Sequence, residues 1–348
     1  MRVQIVRNVH EALIRGLDAF KGPHVRKQKS RNGETLEYKT PVTTVYQFPM
    51  ERVLFWKERD ANPFFHFFEG LWMLGGRSDV DSVSWFNERM KTYSDDGVTF
   101  NGAYGRRWRN YFNKDQLSLI IERLKSDPDD RRCVLSMWDS YKDLLTLDET
   151  NSVDLPCNTQ VYFKIREEKL NMTVCCRSND MIWGAYGANA VHFSMLQEYM
   201  AGMLGVSVGV YTQISDSLHV YTEVYKKLQE RLDHIDPFSP FSPESPYTLD
   251  FVSSYPMFTD ADTEAWDSDL QQFLAYTDQL RTKSDQWDEF ELLYINPFFT
   301  NVAVPIVQTW KLHRTEKKTQ NALEHLERNC HATDWALACA EWLTRRIK

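Results

Sequence analysis

Residues 63–74 read Pro-Phe-Phe-His-Phe-Phe-Glu-Gly-Leu-Trp-Met-Leu, and no helical arrangement of that segment turns a polar face to water. A helix that is apolar all round belongs in an interior. The segment therefore predicts a buried helix over 64–74 that carries Glu69 inward with it. A second apolar helix is expected over 190–204, stopped by Gly205. The chain has 348 residues, 42% of them apolar, which is enough to enclose such helices without disulfide or metal staples. That length permits either two domains or one large one.

The remaining pattern is mixed. Residues 1–22 read as a charged amphipathic helix, best defined over 8–20, where Val9, Ala12, Leu13, Leu17 and Phe20 keep helical spacing. Residues 36–48 read as strand after the Asn32-Gly33 turn. Loops and short helices are expected over 84–109, and an amphipathic helix over 116–125, closed by Asp127-Pro128. Strands are expected at 133–138, 161–165, 170–176 and 208–214, the middle two joined by the charged turn 166–169. Residues 237–256, rich in Pro and Ser, predict a loop or exposed insertion, roughly 235–260 in extent. The tail predicts helix over 315–348, with Trp335, Leu337, Ala338 and Trp342 on one stripe. Strands mixed with segregated helices indicate an α+β fold rather than a regular βαβ series.

The formal net charge is −8, unlike a uniformly basic nucleic-acid binder, so no nucleic acid polymer is expected as partner. A small anion remains possible, because local arginines can oppose the overall charge. The six cysteines include no CxxC pair, so no zinc site or other metal is expected. No apolar run approaches the roughly 20 residues of a membrane span. No signal peptide is read, and the expected location is cytoplasmic, with free thiols.

Chemistry concentrates in a few short segments. Cys157, in Leu155-Pro156-Cys157-Asn158, stands just before a strand and would be a strong nucleophile with positive charge nearby. Alone, it reads better as a buried small hydrophobe. Arg177-Ser178-Asn179-Asp180 follows at the end of a strand, and Arg131-Arg132 lies upstream. Guanidinium forks suit phosphate and would favour a thiolate. The plain alternatives are a solvated turn for the arginine pair and a cap for Asp180. The glycines of Trp183-Gly184-Ala185-Tyr186-Gly187-Ala188-Asn189 allow close backbone approach, and the Asn189 amide can read two hydrogen-bonding edges at once. His219 and Tyr221 share one side of an extended segment and could reach a sugar hydroxyl.

Taken in order, these pieces resemble the thymidylate synthase superfamily over about residues 31–221. The resemblance implies that family's mixed sheet with a long buried helix, a catalytic domain over 1–314 and a helical C-terminal extension over 315–348. It implies Cys157 as nucleophile and Glu69, in Phe67-Phe68-Glu69-Gly70-Leu71-Trp72, as catalytic glutamate. The loop from Asn101 to Arg109 is similar to the family's tyrosine loop beside the cofactor, which assigns Tyr104 to catalysis and Trp108 to cofactor binding. Arg177 and Ser178 would bind phosphate with Arg31, while Arg131 and Arg132 would cross to the phosphate of a partner subunit, implying a homodimer. Asn189 would read the base, His219 and Tyr221 the sugar, and Asp180 would orient the folate. The implied partners are a deoxypyrimidine monophosphate and 5,10-methylenetetrahydrofolate as co-substrate. The chemistry is a C6 thiolate adduct that activates C5 for one-carbon transfer.

Two products share that beginning. Methylation needs water excluded while hydride moves; hydroxymethylation lets water trap the methylene. In the family a short C-terminal segment closes over the folate and ends in the chain's carboxylate. Here residues 302–306 resemble it in outline, but more than 40 residues follow. That difference, together with Cys-Asn-Thr, Arg-Ser-Asn-Asp and Ser-Leu-His-Val-Tyr, is closer to phage-type nucleotide hydroxymethylases. The first expectation is conversion of dUMP to 5-hydroxymethyl-dUMP, since an amide at 189 suits uracil. A dCMP hydroxymethylase, a thymidylate synthase and a non-catalytic nucleotide-binding relative stay open. One extra residue between Gly184 and Asn189 could shift Asn189 or bring Tyr186 or His192 to the base.

Overall fold

The computed structural model describes residues 1–149, 152–236, 244–258, 263–282, 293–315 and 317–347. Its centre is an eight-stranded sheet in the order β1 (Arg2–Val6), β4 (Val42–Tyr46), β8 (Ser207–Tyr221), β7 (Lys169–Asp180), β6 (Asn158–Arg166) and β5 (Val134–Ser136). β3 (Gly33–Tyr38) pairs with the end of β8, and β2 (Val25–Ser30) pairs with β3. β1 runs parallel to β4 and β7 parallel to β8, while the other pairs are antiparallel. Strands mixed with many helices make the fold α+β, as the sequence pattern predicts.

The helices are α1 (Val9–Ala19), α2 (Pro63–Leu74), α3 (Val80–Phe86), α4 (Tyr104–Arg109), α5 (Gln116–Ser126), α6 (Lys142–Glu149), α7 (Asn189–Leu204), α8 (Thr222–Leu232), α9 (Trp266–Thr282), α10 (Val304–Arg314), α11 (Thr319–Asn329) and α12 (Thr333–Thr344). The Asn62 side chain caps α2 by accepting from the Phe65 N–H, and Pro63 stands in its first turn, where a missing N–H costs nothing. Every residue of α2 is buried. α7 ends at Gly205, which takes the left-handed conformation at φ 69°. The two buried helices lie against each other on one face of the sheet, and this contact sets the depth of everything they carry.

The sheet's faces differ. Val6, Tyr46, Tyr211, Met172, Val174, Val161, Phe163 and Leu135 point into the core. The opposite face carries the cross-strand row Ile5, Val45, Thr212, Thr173, Tyr162 and Val134. Its ends Ile5 and Val134 are exposed and its middle is only half-buried.

Several expectations change. Residues 2–6 form β1 rather than the start of a helix; its partner β4 lies about 40 residues away, outside any local pattern. The strand expected over 36–48 is two strands, and β2 completes a hairpin around Asn32-Gly33. α8, α9 and α10 fall where no helix was expected. Of the loop at 237–256, residues 237–243 lie outside the described residues. The remainder is not simply exposed: Tyr247 is buried and donates its hydroxyl to Asp334 at 2.9 Å. In the tail, Trp335, Ala338 and Trp342 are buried as predicted, but Leu337 is 40% exposed. Trp335 packs on Phe67 and Trp342 on Phe64, so α12 braces the Glu69 helix. Residues 302–306 are not a free closing segment: Val302, Ala303, Pro305 and Ile306 are buried at the start of α10. None of the described helices is long and apolar enough to cross a membrane.

Candidate active site

A cavity of about 360 Å³ opens between the β2–β3 hairpin, the ends of β7 and β8, and the segment before β6. Arg31, Arg177, Ser178, His219 and Tyr221 line it together. The sheet register explains part of this: Ser178 lies beside Ser217 and Asp180 beside His219 across the parallel β7–β8 pair. Arg31 stands in the β2–β3 turn, and its Nη1 donates to Ser152 O at 3.2 Å. Arg177 Nε donates to Pro156 O at 2.9 Å and Nη2 to Leu155 O at 3.3 Å, fastening the wall to the segment that carries the thiol. The Tyr221 hydroxyl accepts from Asn32 Nδ2 at 3.4 Å.

Cys157 adjoins that wall, near Arg177 and Arg31, but is not among the residues that line the cavity. Its carbonyl accepts from the Arg177 N–H at 2.9 Å. Burial pushes its thiol above the ordinary value, and the charges of Arg177 and Arg31 offset this only in part. In the free chain the arginines therefore do not ionise the thiol, contrary to the expectation from sequence, because desolvation of a thiolate outweighs them.

Behind the cysteine is a polar cluster that local sequence does not reveal. The Asn158 N–H donates to the Tyr104 hydroxyl oxygen at 3.3 Å. Tyr104 is brought there by Asp154, whose carboxylate accepts from the Asn101 N–H at 2.6 Å and the Gly102 N–H at 2.9 Å. Burial pushes the Asp154 carboxyl up to about 6 against those two donors. Gly105 then lets α4 lie on α2, since a Cβ there would stand 2.0 Å from Met73 O. Asn158 Nδ2 donates to Asn189 Oδ1 at 3.3 Å, and Asn189 Nδ2 donates to Asn179 Oδ1 at 3.0 Å.

A π-helical turn over Met181–Ala188, with non-helical backbone at Tyr186 and Gly187, leads into Asn189. Asn189 stands beside Asn158 and is not among the residues that line the cavity. Tyr186 does not approach the cavity: it is buried toward α1 and β4, with its hydroxyl 3.1 Å from Thr44 Oγ1. His192 is buried too, its Nε2 3.0 Å from Glu69 Oε2. Glu69 thus meets α7 one turn beyond Asn189, and it does not line the cavity.

Asp180 caps the π-helical turn by accepting from the N–H groups of Ile182 at 2.9 Å and Trp183 at 2.6 Å. Its other oxygen, Oδ2, is buried and has no hydrogen-bond partner among the described residues. Burial raises its carboxyl. Arg59, absent from the sequence reading, is buried over the Trp183 ring at 4.3 Å and donates to Ile182 O at 3.2 Å. A second cavity of about 550 Å³, lined by Trp183, Tyr93, Arg89, Lys226, Glu34 and Glu223 among others, adjoins the first through Asn32 and Tyr221.

One expectation fails in this chain by itself. Trp108 is fully buried against Phe193, with ring centroids 5.8 Å apart, and lines neither cavity. Packing of α4 beneath α7 covers it. Arg131 and Arg132 stand before β5 at the far edge of the sheet, both exposed, with Arg132 held on Asp130. Asn158, Asn179, Asp154 and Arg59 were missed. Asn179 sits inside a quoted motif, but nothing in the motif says which way its amide points.

Comparison with known proteins gives concordant results. Residues 25–244 match the family model described as thymidylate synthase. A deoxyuridylate hydroxymethyltransferase of Pseudomonas phage M6 is 47% identical over 354 residues, covering 99% of this chain and 95% of that protein. A protein of the same description from Bacillus phage SP01 is 42% identical over 204 residues, 56% of this chain and 52% of its own length. Another, from Delftia phage PhiW-14, is 32% identical over 180 residues, half of each chain.

Proposed function

Because the chain belongs to the thymidylate synthase family, we propose that it converts dUMP to 5-hydroxymethyl-dUMP, with 5,10-methylenetetrahydrofolate supplying the carbon. The observation that carries the reading is one wall in which Arg31, Arg177, Ser178, His219 and Tyr221 meet beside Cys157. Guanidinium groups and a hydroxyl suit a phosphate, and His219 with Tyr221 suits a sugar.

With nucleotide bound, the Cys157 thiol gives its proton to a base and its sulfur adds at C6 of the uracil, the electron pair moving through C5 to O4. C5 then forms its bond to the one-carbon unit and loses its proton. Departure of the folate amine leaves an exocyclic methylene on the nucleotide. Water adds there through oxygen, its proton passes to a base, and expulsion of the thiolate from C6 restores the ring double bond. Glu69 relays protons in these steps, with His192 at its carboxylate. The unpartnered Asp180 Oδ2 fits a polar edge of a folate, and the second cavity offers Tyr93 and Trp183 to its ring and Arg89 and Lys226 to its carboxylates, with Glu34 and Glu223 also in the lining. Hydroxymethylation is favoured because the segment resembling the family's closing flap is packed into the core.

A homodimer is supported by the uncovered sheet face and by Arg131 and Arg132, which stand outside their own cavity. We read 1–314 as the catalytic unit and 315–348 as an extension that braces α2. The phage relatives support action in the cytoplasm of an infected host.

The test is to incubate the protein with dUMP and with dCMP, each tritiated at C5, plus the folate, and then weigh the product. Tritium release from dUMP with a hydroxymethyl mass is expected. A methyl mass, preference for dCMP, or no release from either nucleotide would overturn the reading, the last in favour of a non-catalytic binding protein.

A further inference from the structure

The Asn158–Asn189–Asn179 hydrogen bonds continue one step further, since Asn179 Nδ2 donates to Ser215 Oγ at 3.0 Å. Asn158, Asn179 and Ser215 are buried, so none can exchange its partner for water. Gly184 makes the arrangement possible: a Cβ there would lie 2.5 Å from Asn179 Oδ1 and 3.1 Å from Asn189 Nδ2.

An amide has two lone pairs and two N–H bonds. The chain occupies one lone pair and one N–H of Asn189, leaving one acceptor and one donor in a fixed order. Such a chain also has a direction. Reversing Asn189 alone would set its oxygen against Asn179 Oδ1 and its N–H groups against those of Asn158. Every link must therefore reverse together, with the Ser215 hydroxyl donating at the far end. One atom marks where reversal is possible: Asn158 Oδ1 is buried and unpartnered in the present direction, and a reversed Asn189 would engage it.

Uracil presents an N–H at N3 and an oxygen at C4; cytosine presents a bare N3 and an amino group. In one pose the two bases need opposite amide orientations. We propose that Asn158 and Asn179 are positioning residues that set the direction of this chain and so decide which base Asn189 accepts. The assignment of the present direction to uracil rests on the dUMP reading above; the coupling of direction to base does not.

Two variants make the same chemical change with opposite consequences. A carboxylate only accepts, so Asn179→Asp holds the Asn189 N–H groups toward position 179 and keeps the present direction. Asn158→Asp draws those N–H groups to position 158 and reverses it. Measured as the ratio of kcat/KM for dUMP over dCMP, Asn179→Asp is expected to hold or raise the ratio. Asn158→Asp is expected to lower it by about tenfold or more, the scale of one buried hydrogen bond. Should either carboxylate variant fail to fold, Gly184→Ala parts the Asn179–Asn189 pair without altering an amide, and it should bring the ratio toward one. Ratios that move the same way in both Asp variants, or stay put in all, would overturn the proposal. A parent enzyme preferring dCMP would instead overturn the dUMP reading, and opposite movement of the two Asp variants would still support the chain.

Discussion

The imidazole Nε2 of His192, on α7, lies 3.0 Å from the Glu69 Oε2 atom on α2, with both side chains buried. The contact is close but off-axis, since Nε2 has no aligned hydrogen bond. Among the described residues no arginine or lysine pairs with the Glu69 carboxylate. His192→Gln should therefore lower kcat by about a hundredfold, the lower range for a lost proton-transfer partner, and leave dUMP affinity nearly unchanged. Steady-state kinetics beside nucleotide titration would check this, and a kcat within about twofold of the parent would exclude the partnership.

Cys157 should alkylate with a pH midpoint above that of an ordinary thiol in the nucleotide-free protein, because burial outweighs Arg177 and Arg31. Arg177→Gln should move the midpoint higher still. The midpoint of the iodoacetamide rate against pH, followed at the Cys157 peptide, separates ionisation from access. A parent midpoint near neutrality would contradict the burial argument.

His10 stacks on Trp56 at 4.0 Å, with its Nε2 3.0 Å from Glu244 O. Burial pushes its imidazole from 6.5 down to about 3. Below pH 6.5 the unfolded chain takes a proton that the fold refuses, so stability is full above 6.5 and falls on acidification toward 3. The slope is about 1.4 kcal/mol per pH unit. His10→Gln retains a donor and removes the titration. Urea unfolding from pH 7 to pH 4 should show a shallower loss for the variant; equal slopes would refute the assignment.

Thr173 occupies the middle of the half-buried row on the open sheet face. If a second copy covers that face, Thr173→Arg places a charge in the contact and should yield a monomer by light scattering. Activity should fall with it, because Arg131 and Arg132 could no longer reach a partner's phosphate. A parent protein that is already monomeric would remove the dimer from the reading.

Much of the site was readable from order along the chain. Pro156-Cys157, the Arg177-to-Asp180 segment and the His219–Tyr221 pair stand close to the cavity because strands β6, β7 and β8 are neighbours and each motif lies at a strand end, while Asn189 opens α7. Glu69 was readable as buried because its whole helix is apolar. β1 was not, since five residues declare a strand only through a parallel partner elsewhere in the chain. Trp108 was misread because an aromatic residue in a loop-like motif says nothing about the helix that will cover it.

Sequence by itself determined the α+β class, the two interior helices and the kinds of side chain available for the chemistry, because periodicity and residue type are local properties. Only the tertiary structure decided the state of the Cys157 thiol, the His192 contact to Glu69, the orientation of the Asn189 amide and the burial of residues 302–306. Each of these depends on which groups from distant segments are brought within a few ångströms and cut off from water. Desolvation and hydrogen-bond direction arise only once that packing exists.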